Sequence, residues 1–373
     1  MQVDRRMVQN FDWLLFGLVL FAATAGVMTI FSATRPLEGM HHSNFYIKQI
    51  IWTMAGIGVM LLVVKVDYRR FERFAVPLYV TGLGLLVFVL ARGRMGMGAE
   101  RWISLGGISF QPSEIFRLIF VIMLARHFSL LKGPLEVRQF MRALPFLAIL
   151  PFLLLVKQPD LGTAAAMCIV FLFFCIARGM SRRLVAALLV FGLVSAPFLW
   201  NIFWNRFLKG YQRHRIEAFL DPGADSSGIG YNINQSEIAI GSGKVFGKGY
   251  LKGTQRPFRF LPENHTDFIF SVFAEEWGFA GCFVLLAVYL AILLRALDTA
   301  RQAKDEFGSQ LALGIAFMFA TYFFLNIGMA MGMMPVVGIP LPFMSYGGTA
   351  VISNYIAVGL LINVRIRRFE LFY

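Results

Sequence analysis

Charge is scarce in this sequence: Asp, Glu, Lys and Arg make up 15% of its 373 residues, while hydrophobic residues make up 58%. That balance excludes an ordinary soluble domain, in which about a quarter of the residues are charged. Cysteine is scarcer still. All three, Cys168, Cys175 and Cys282, fall inside apolar runs, and no pair has metal-ligand spacing, so neither a disulfide framework nor a zinc site is indicated. The five histidines are scattered. HExxH, Walker-type and nucleophile-elbow motifs are missing, which removes support for zinc chemistry and for ATP-driven work. There is no strong internal repeat, no low-complexity tract and no soluble catalytic domain. The chemistry therefore rests with helices and the loops that join them.

What the chain has in abundance is apolar run length. Stretches of membrane-spanning length recur near 11 to 32, 49 to 66, 74 to 91, 113 to 128, 141 to 156, 161 to 177, 183 to 204, 268 to 294, 309 to 333 and 347 to 364. They predict an all-α polytopic membrane protein of about ten transmembrane helices. The chain reads as a single domain over residues 1–373, with a long extracytoplasmic loop, roughly 205 to 266, between spans seven and eight. The fourth and fifth runs are short or interrupted by Pro145 and Pro151. The first follows a short Arg-containing leader and, at about twenty residues, is too long for the core of a signal peptide.

The net charge of +14 would suit a nucleic-acid binder, but its distribution gives it another meaning. One set of inter-span segments holds Arg5 and Arg6, Lys65 to Arg73, Arg126 to Arg142, Arg178 to Arg183, Arg295 to Lys304 and Arg365 to Arg368. The opposite short loops hold only Arg35, Lys48, Arg92, Arg94, Arg101 and Lys157. By the positive-inside rule both termini are expected in the cytoplasm and the long loop outside, with no nucleic-acid partner. The basic residues of that loop make the outer surface attractive to an anionic lipid phosphate.

An ionisable residue in or beside a span costs about 2.5 to 3.5 kcal/mol at the helix centre, so each needs a reason. Asp267, in FRFLPENHTDFIFSVFAEEWG, stands where the polar loop enters the eighth span, at the boundary between water and lipid. With Asn264 as N-cap it would occupy N3, a capping position; the same carboxylate, with apolar Phe268 and Phe270 beside it, suits a general base. Glu114 and Arg117, three apart in QPSEIFR, would pair on one helix face at the start of the fourth span, either to neutralise each other or to hold a phosphate. Asp160, in KQPDLGT, reads first as a cap of the sixth span. Glu275 and Glu276 lie about 12 Å below Asp267 by helix rise, with no partner evident. Arg213 and Arg215, in YQRHRIEAFLDP, alternate as a clamp for a diphosphate would.

Two glycine-rich segments complete the pattern. GIGYNINQSEIAIGSGKVFGKGYLKGTQ carries a helical stretch near Ile233 to Ile240 and then flexible backbone that suits a moving lid. PVVGIPLPFMSYGG, from Pro335 to Gly348, is too rich in Pro and Gly for a helix. It is expected to form an ordered outer or re-entrant segment covered by other helices.

QPSE, QPDLGT, the IAIGSG and GKG loop, GTQ, LPENHTDFIF with AEEWG, and NIGM followed by PVVGIPLPFMSYGG resemble, in this order and along nearly the whole chain, the SEDS family. The GTQ and QPDLGT wording is similar to its rod-shape branch. The resemblance implies a ten-helix membrane glycosyltransferase that polymerises peptidoglycan from lipid II on the outer face of the cytoplasmic membrane and releases undecaprenyl diphosphate. It also implies a class B penicillin-binding protein, a transpeptidase, as partner, together with other membrane proteins of the cell-elongation complex. The family's catalytic acid falls on Asp267, and its QPSExxK pair on Glu114 and Arg117, where Arg stands in place of the usual Lys and brings a planar fork instead of a point charge. Arg101, Lys48, Asp160, Arg213, Arg215 and Ser345 complete the expected substrate-binding set. A divalent cation, Mg²⁺ or Mn²⁺, would help to meet charge on the leaving diphosphate, and no organic cofactor is implied. A lipid II flippase remains an alternative, since many helices with intramembrane charge suit a transporter, and a scaffold for the transpeptidase is a third reading.

Overall fold

The computed structural model describes residues 9–35, 44–92, 94–96, 99–105, 108–202, 204–205, 210–221, 228–254 and 265–368. Its helices are α1 (Trp13–Thr34), α2 (Phe45–Lys65), α3 (Tyr68–Arg92), α4 (Pro112–Ser129), α5 (Val137–Lys157), α6 (Leu161–Arg178), α7 (Arg182–Ile202), α8 (Gly210–Leu220), α9 (Ile229–Ser242), α10 (Ile269–Gln302), α11 (Glu306–Ala330) and α12 (Gly348–Ile366). Among the described residues, α1, α2, α3, α5, α6, α10, α11 and α12 are long and apolar enough to cross a membrane. The runs expected near 113 to 128 and 183 to 204 fall on α4 and α7. In α4, Glu114, Arg117 and Arg126 share 18 residues, which is why it reads as less apolar than the others. Between α3 and α4 the chain makes a small antiparallel meander, β1 (Arg94–Gly96), β2 (Ala99–Leu105) and β3 (Ile108–Phe110), in the order β1-β2-β3. Span counting had no means of finding it.

The chain divides into two compact units. One comprises Met1–Tyr68, Arg215–Lys304 and Phe319–Tyr373; the other comprises Arg69–His214 and Asp305–Met318. In the first unit α12 packs along α2, and α10 along α1 and α9. Small residues allow close approach, as they do in membrane helix pairs generally: at Gly26 of α1 a Cβ would lie 2.6 Å from Met344 Cα. The helix ends are tied by polar side chains. Asp12 caps α1, accepting from Leu15 N at 3.0 Å, and also pairs with Arg295 at 3.0 Å and Arg365 at 3.2 Å. Asn363 of α12 donates to the Val63 and Val66 carbonyls at the end of α2 and accepts from Tyr68 N, fastening that turn.

In the second unit α6 packs against α4 and α5, with Phe128 and Phe174 rings 5.4 Å apart between α4 and α6. The proline interruption expected in the fifth span is absorbed within it. Pro145–Ile149 forms a single π turn inside α5, and Pro151, which lacks an N–H, leaves the Phe146 carbonyl without a donor five residues on. The Tyr79 hydroxyl of α3 supplies that donor at 2.6 Å.

The first unit holds a larger interruption. In α10, Gly278 has φ 63° and ψ −166°, so residues 269–277 and 279–302 are separate helical halves. Such a break frees carbonyls on one side and N–H groups on the other, and at membrane depth these must be satisfied by protein. The loop after α9 does so. Lys248 N and Gly249 N donate to the Glu275 and Glu276 carbonyls, each at 3.0 Å, while Phe279 N and Ala280 N donate to the Lys244 and Val245 carbonyls at 2.8 and 2.9 Å. The lid expected of this glycine-rich stretch is therefore not what residues 243–254 form. They are bonded into the helix break, because only an irregular backbone can meet the four groups that the break exposes.

Close approach explains the glycines. Gly247 has φ +77°, and a Cβ there would sit 2.0 Å from the Glu276 carbonyl oxygen. Gly247→Ala combines a left-handed residue, costing about 1 to 3 kcal/mol, with a backbone clash. Its purified protein is expected to melt several degrees below wild type in a detergent thermal-shift assay; an unchanged midpoint would show that the loop does not seat in the break.

Candidate active site

Asp267 belongs to a turn, residues 265–268, that leads into α10, whose N-cap is Phe268. This corrects the expected capping position: Asn264 lies outside the described residues, and Asp267 directly precedes the cap instead of occupying N3. The cause is visible in the backbone of the turn. The carbonyl of His265 accepts from Tyr346 N at 3.0 Å, that of Thr266 from the Ser345 hydroxyl at 2.7 Å, and that of Asp267 from the Asn326 amide at 3.0 Å. Acceptors that would start a helix earlier are taken by other segments. Phe268, Ile269 and Phe270 then enter the buried apolar cluster of the unit with Ile327, Val336, Leu341 and Met344, while Asp267 stays half-buried.

The segment Pro335–Gly348 is ordered and non-helical, as expected, and it forms one wall of this turn. Asn326, fully buried on α11, donates both to Asp267 O and to Ile339 O, the latter at 2.7 Å. Gln49 of α2 holds the far end by donating to Ser345 O at 3.1 Å and accepting from Gly347 N at 3.4 Å. Tyr289 of α10 donates its hydroxyl to Pro342 O. Arg215 of α8 donates to Val336 O at 3.1 Å. Gly338, with φ +71°, stands close to both side chains: a Cβ there would lie 3.3 Å from Asp267 Oδ2 and 3.6 Å from Arg215 Nη1. The carboxylate and the guanidinium thus converge on one point beside Gly338. Rings of Phe45, His265 and Tyr346 pack together on another side, with Phe45 and His265 centroids 4.7 Å apart, and burial raises the Tyr346 hydroxyl above its ordinary pKa.

Ser345 was expected to contact substrate. Its hydroxyl is buried and accepts from Leu341 N at 2.8 Å while donating to Thr266 O, which makes it a support for the Asp267 turn. Lys48 is exposed in the first turn of α2. Arg101 lies on β2, and its side chain is outside the described residues. Arg213 and Arg215 sit on helix α8, where residues two apart point to opposite sides. Arg213 donates to Asn205 O at 3.1 Å and Arg215 to Val336 O, so the paired clamp does not form.

The second unit holds its own polar group. Glu114 and Arg117 form the expected ion pair at 3.1 Å, with both side chains almost wholly buried. Asp160 caps α6, accepting from Thr163 N at 3.3 Å, and its other oxygen accepts from the Ser113 hydroxyl at 3.1 Å and from the Gln111 amide at 3.4 Å. Capping is therefore only part of its role, since it also joins the start of α6 to the start of α4. Sequence reasoning missed Asn326 and Gln49, although NIGM had marked the first. No local pattern reveals an amide that bonds two carbonyls from distant segments.

Among the described residues, no group of three or more His, Cys, Asp or Glu side chains comes together to hold a metal ion. Among the described residues these donors form no all-protein cage for the expected divalent cation.

A family model described as FtsW/RodA/SpoVE, cell cycle protein, matches residues 12–369. The chain is 39% identical to the peptidoglycan glycosyltransferase MrdB of Escherichia coli strain K12, over 95% of this chain and 92% of that protein. It is 33% identical to the peptidoglycan glycosyltransferase RodA of Treponema pallidum strain Nichols, over 97% of this chain and 99% of that one. A chain from the solved structure of a peptidoglycan synthase complex coordinating polymerization and crosslinking superposes with a TM-score of 0.81 at 31% identity, covering 96% of this chain and 99% of that chain.

The support given by Ser345 can be measured. Ser345→Ala leaves Leu341 N–H and Thr266 C=O buried without their partner, at a cost of about 1 to 3 kcal/mol. Thermal denaturation is expected to show that loss, whereas a midpoint equal to wild type would mean that the hydroxyl does not hold the turn.

Proposed function

The chain belongs to the FtsW/RodA/SpoVE family, and from that premise we propose that it is a peptidoglycan glycosyltransferase of the cytoplasmic membrane, polymerising lipid II with Asp267 as general base. Multiple apolar helices and family membership together make it a multi-pass membrane protein. The observation that carries the catalytic assignment is the convergence of Asp267 and Arg215 beside Gly338, on a turn whose backbone is fixed at three successive carbonyls. A half-buried carboxylate on so constrained a backbone is suited to a reaction that tolerates little misplacement.

In the proposed reaction Asp267 takes the proton from the 4-hydroxyl of the acceptor sugar. The oxygen attacks the anomeric carbon of the donor, the bond from that carbon to the diphosphate oxygen breaks, and undecaprenyl diphosphate leaves with the electron pair. One displacement inverts an α-linked donor into a β-linked product. Arg215 is placed to meet charge on the diphosphate through a planar fork of donors, and exposed Lys48 offers a second cation. In the other unit the buried Glu114–Arg117 pair and the Asp160 bonds to Ser113 and Thr163 are proposed to brace the starts of α4 and α6.

Orientation follows the charge asymmetry of the loops, with both termini in the cytoplasm and Asp267 on the outer face. The relation to a synthase complex that couples polymerization with crosslinking supports a class B penicillin-binding protein as partner during cell elongation.

Purified protein given lipid II in detergent micelles, where there is no membrane to cross, is expected to make glycan polymer. Asp267→Asn should lower the rate by about 10²- to 10⁴-fold, the usual worth of a positioned base. Polymer at the wild-type rate from Asp267→Asn would remove the base assignment, and none from wild type, alone or with its transpeptidase, would favour transport.

A further inference from the structure

At the far end of the half-helix that follows the Asp267 turn lie two buried acids that the proposed reaction does not use. Glu275 and Glu276 are 1% and 2% exposed, and burying a carboxylate in a membrane helix is costly without strong partners. Oε1 of Glu275 accepts from the Lys248 ammonium, the Thr254 N–H and the Thr254 hydroxyl, each at 2.7 Å. Oε1 of Glu276 accepts from Leu251 N at 3.1 Å and from the Ser32 hydroxyl of α1. The carbonyls of the same two residues receive Lys248 N and Gly249 N. Both acids therefore bind the loop 248–254 through backbone and side chain together.

The consequence depends on the break at Gly278. A helix that ran on through this point would be located by the rest of its own length. The half 269–277 is short, and at its lower end its register is set by what grips that end. The rigid helix from Ile269 to Glu275, about 9 Å by helix rise, joins that grip to the turn that holds Asp267, so a shift at the lower end is carried toward the upper one. At the upper end, Asn326, Ser345 and Tyr346 bond the backbone of the turn.

We propose that Glu275 is a positioning residue for the transfer reaction: by gripping Lys248 and Thr254 it sets the height and rotation of the half-helix that presents Asp267. Glu276, bonded to Leu251 and Ser32, fastens the same loop and half-helix to α1. Glu275 touches no reacting atom and acts through the placement of Asp267. The inference rests on the base assignment made above.

The test uses the full chain in detergent with lipid II, at a temperature well below the melting midpoint of every variant, so that all molecules are folded. Glu275→Gln keeps one carbonyl oxygen for Thr254 but loses the charge for Lys248; Glu275→Ala loses both; Thr254→Val removes the hydroxyl that donates to Glu275 and accepts from Lys248. A misplacement on the order of 1 Å costs about 10²-fold, so kcat is expected to fall in the order wild type, Thr254→Val, Glu275→Gln, Glu275→Ala, reaching about a hundredfold, with KM for lipid II unchanged. If Glu275→Ala does not fold, the other two variants carry the comparison. Wild-type kcat in Thr254→Val and Glu275→Gln would overturn the proposal, as would a loss confined to KM. An active wild type with undiminished variants refutes only this inference, whereas a wild type that makes no polymer removes the reading beneath it.

Discussion

Every backbone N–H and C=O placed at membrane depth must find a partner within the protein, because hydrocarbon offers none. Most of this chain meets that demand by being helical. Among the described residues, three departures from the helix are each matched by a donor or acceptor from elsewhere: the π turn of α5 by Tyr79, the break at Gly278 by the loop 243–249, and the segment Pro335–Gly348 by Asn326, Gln49, Tyr289 and Arg215. The second and third of these hold the two ends of the half-helix that follows the Asp267 turn.

The catalytic assignment gains its physical sense from that arrangement. A carboxylate on a mobile loop would have to be ordered anew at each turnover, losing the benefit of a fixed approach to the acceptor hydroxyl. Here the carbonyls of the turn are engaged one after another by α11 and by the 335–348 segment, and the half-helix that follows is bonded at its far end by the loop 243–254. Gly338 has no side chain, and so its backbone can approach both the carboxylate and the Arg215 guanidinium closely. Fixed backbone and close approach are separate requirements, and the sequence meets them with different residues, Asn and Ser for the first and Gly for the second.

Much of this could be read from the chain before its structure. Long apolar runs located the long helices, although α3 starts about six residues earlier and α10 ends about eight residues later than expected; the i, i+3 spacing of Glu114 and Arg117 gave their ion pair, and the Pro and Gly content of Pro335–Gly348 indicated an ordered non-helical segment. The errors share one origin. Asp267 was placed inside the helix because local sequence cannot show that Tyr346, Ser345 and Asn326 take the carbonyls of its turn. The loop 243–254 was taken for a lid because glycine marks close approach as well as mobility, and only the fold shows the helix break it fills. Arg213 and Arg215 were paired because a two-residue spacing suits extended chain; α8 turns them apart. Glu275 and Glu276 had no visible partner because theirs lie more than twenty residues away in the chain.

The most direct test of the central claim concerns where Asp267 stands. The full chain carrying Asp267→Cys, with the three native cysteines replaced by Ala, would be treated in intact spheroplasts with a maleimide that cannot cross the membrane. Labelling from outside, slowed when lipid II accumulates, is the result expected of an acid held rigidly at the outer face within reach of its substrate. Labelling that appears only after the membrane is opened would contradict it.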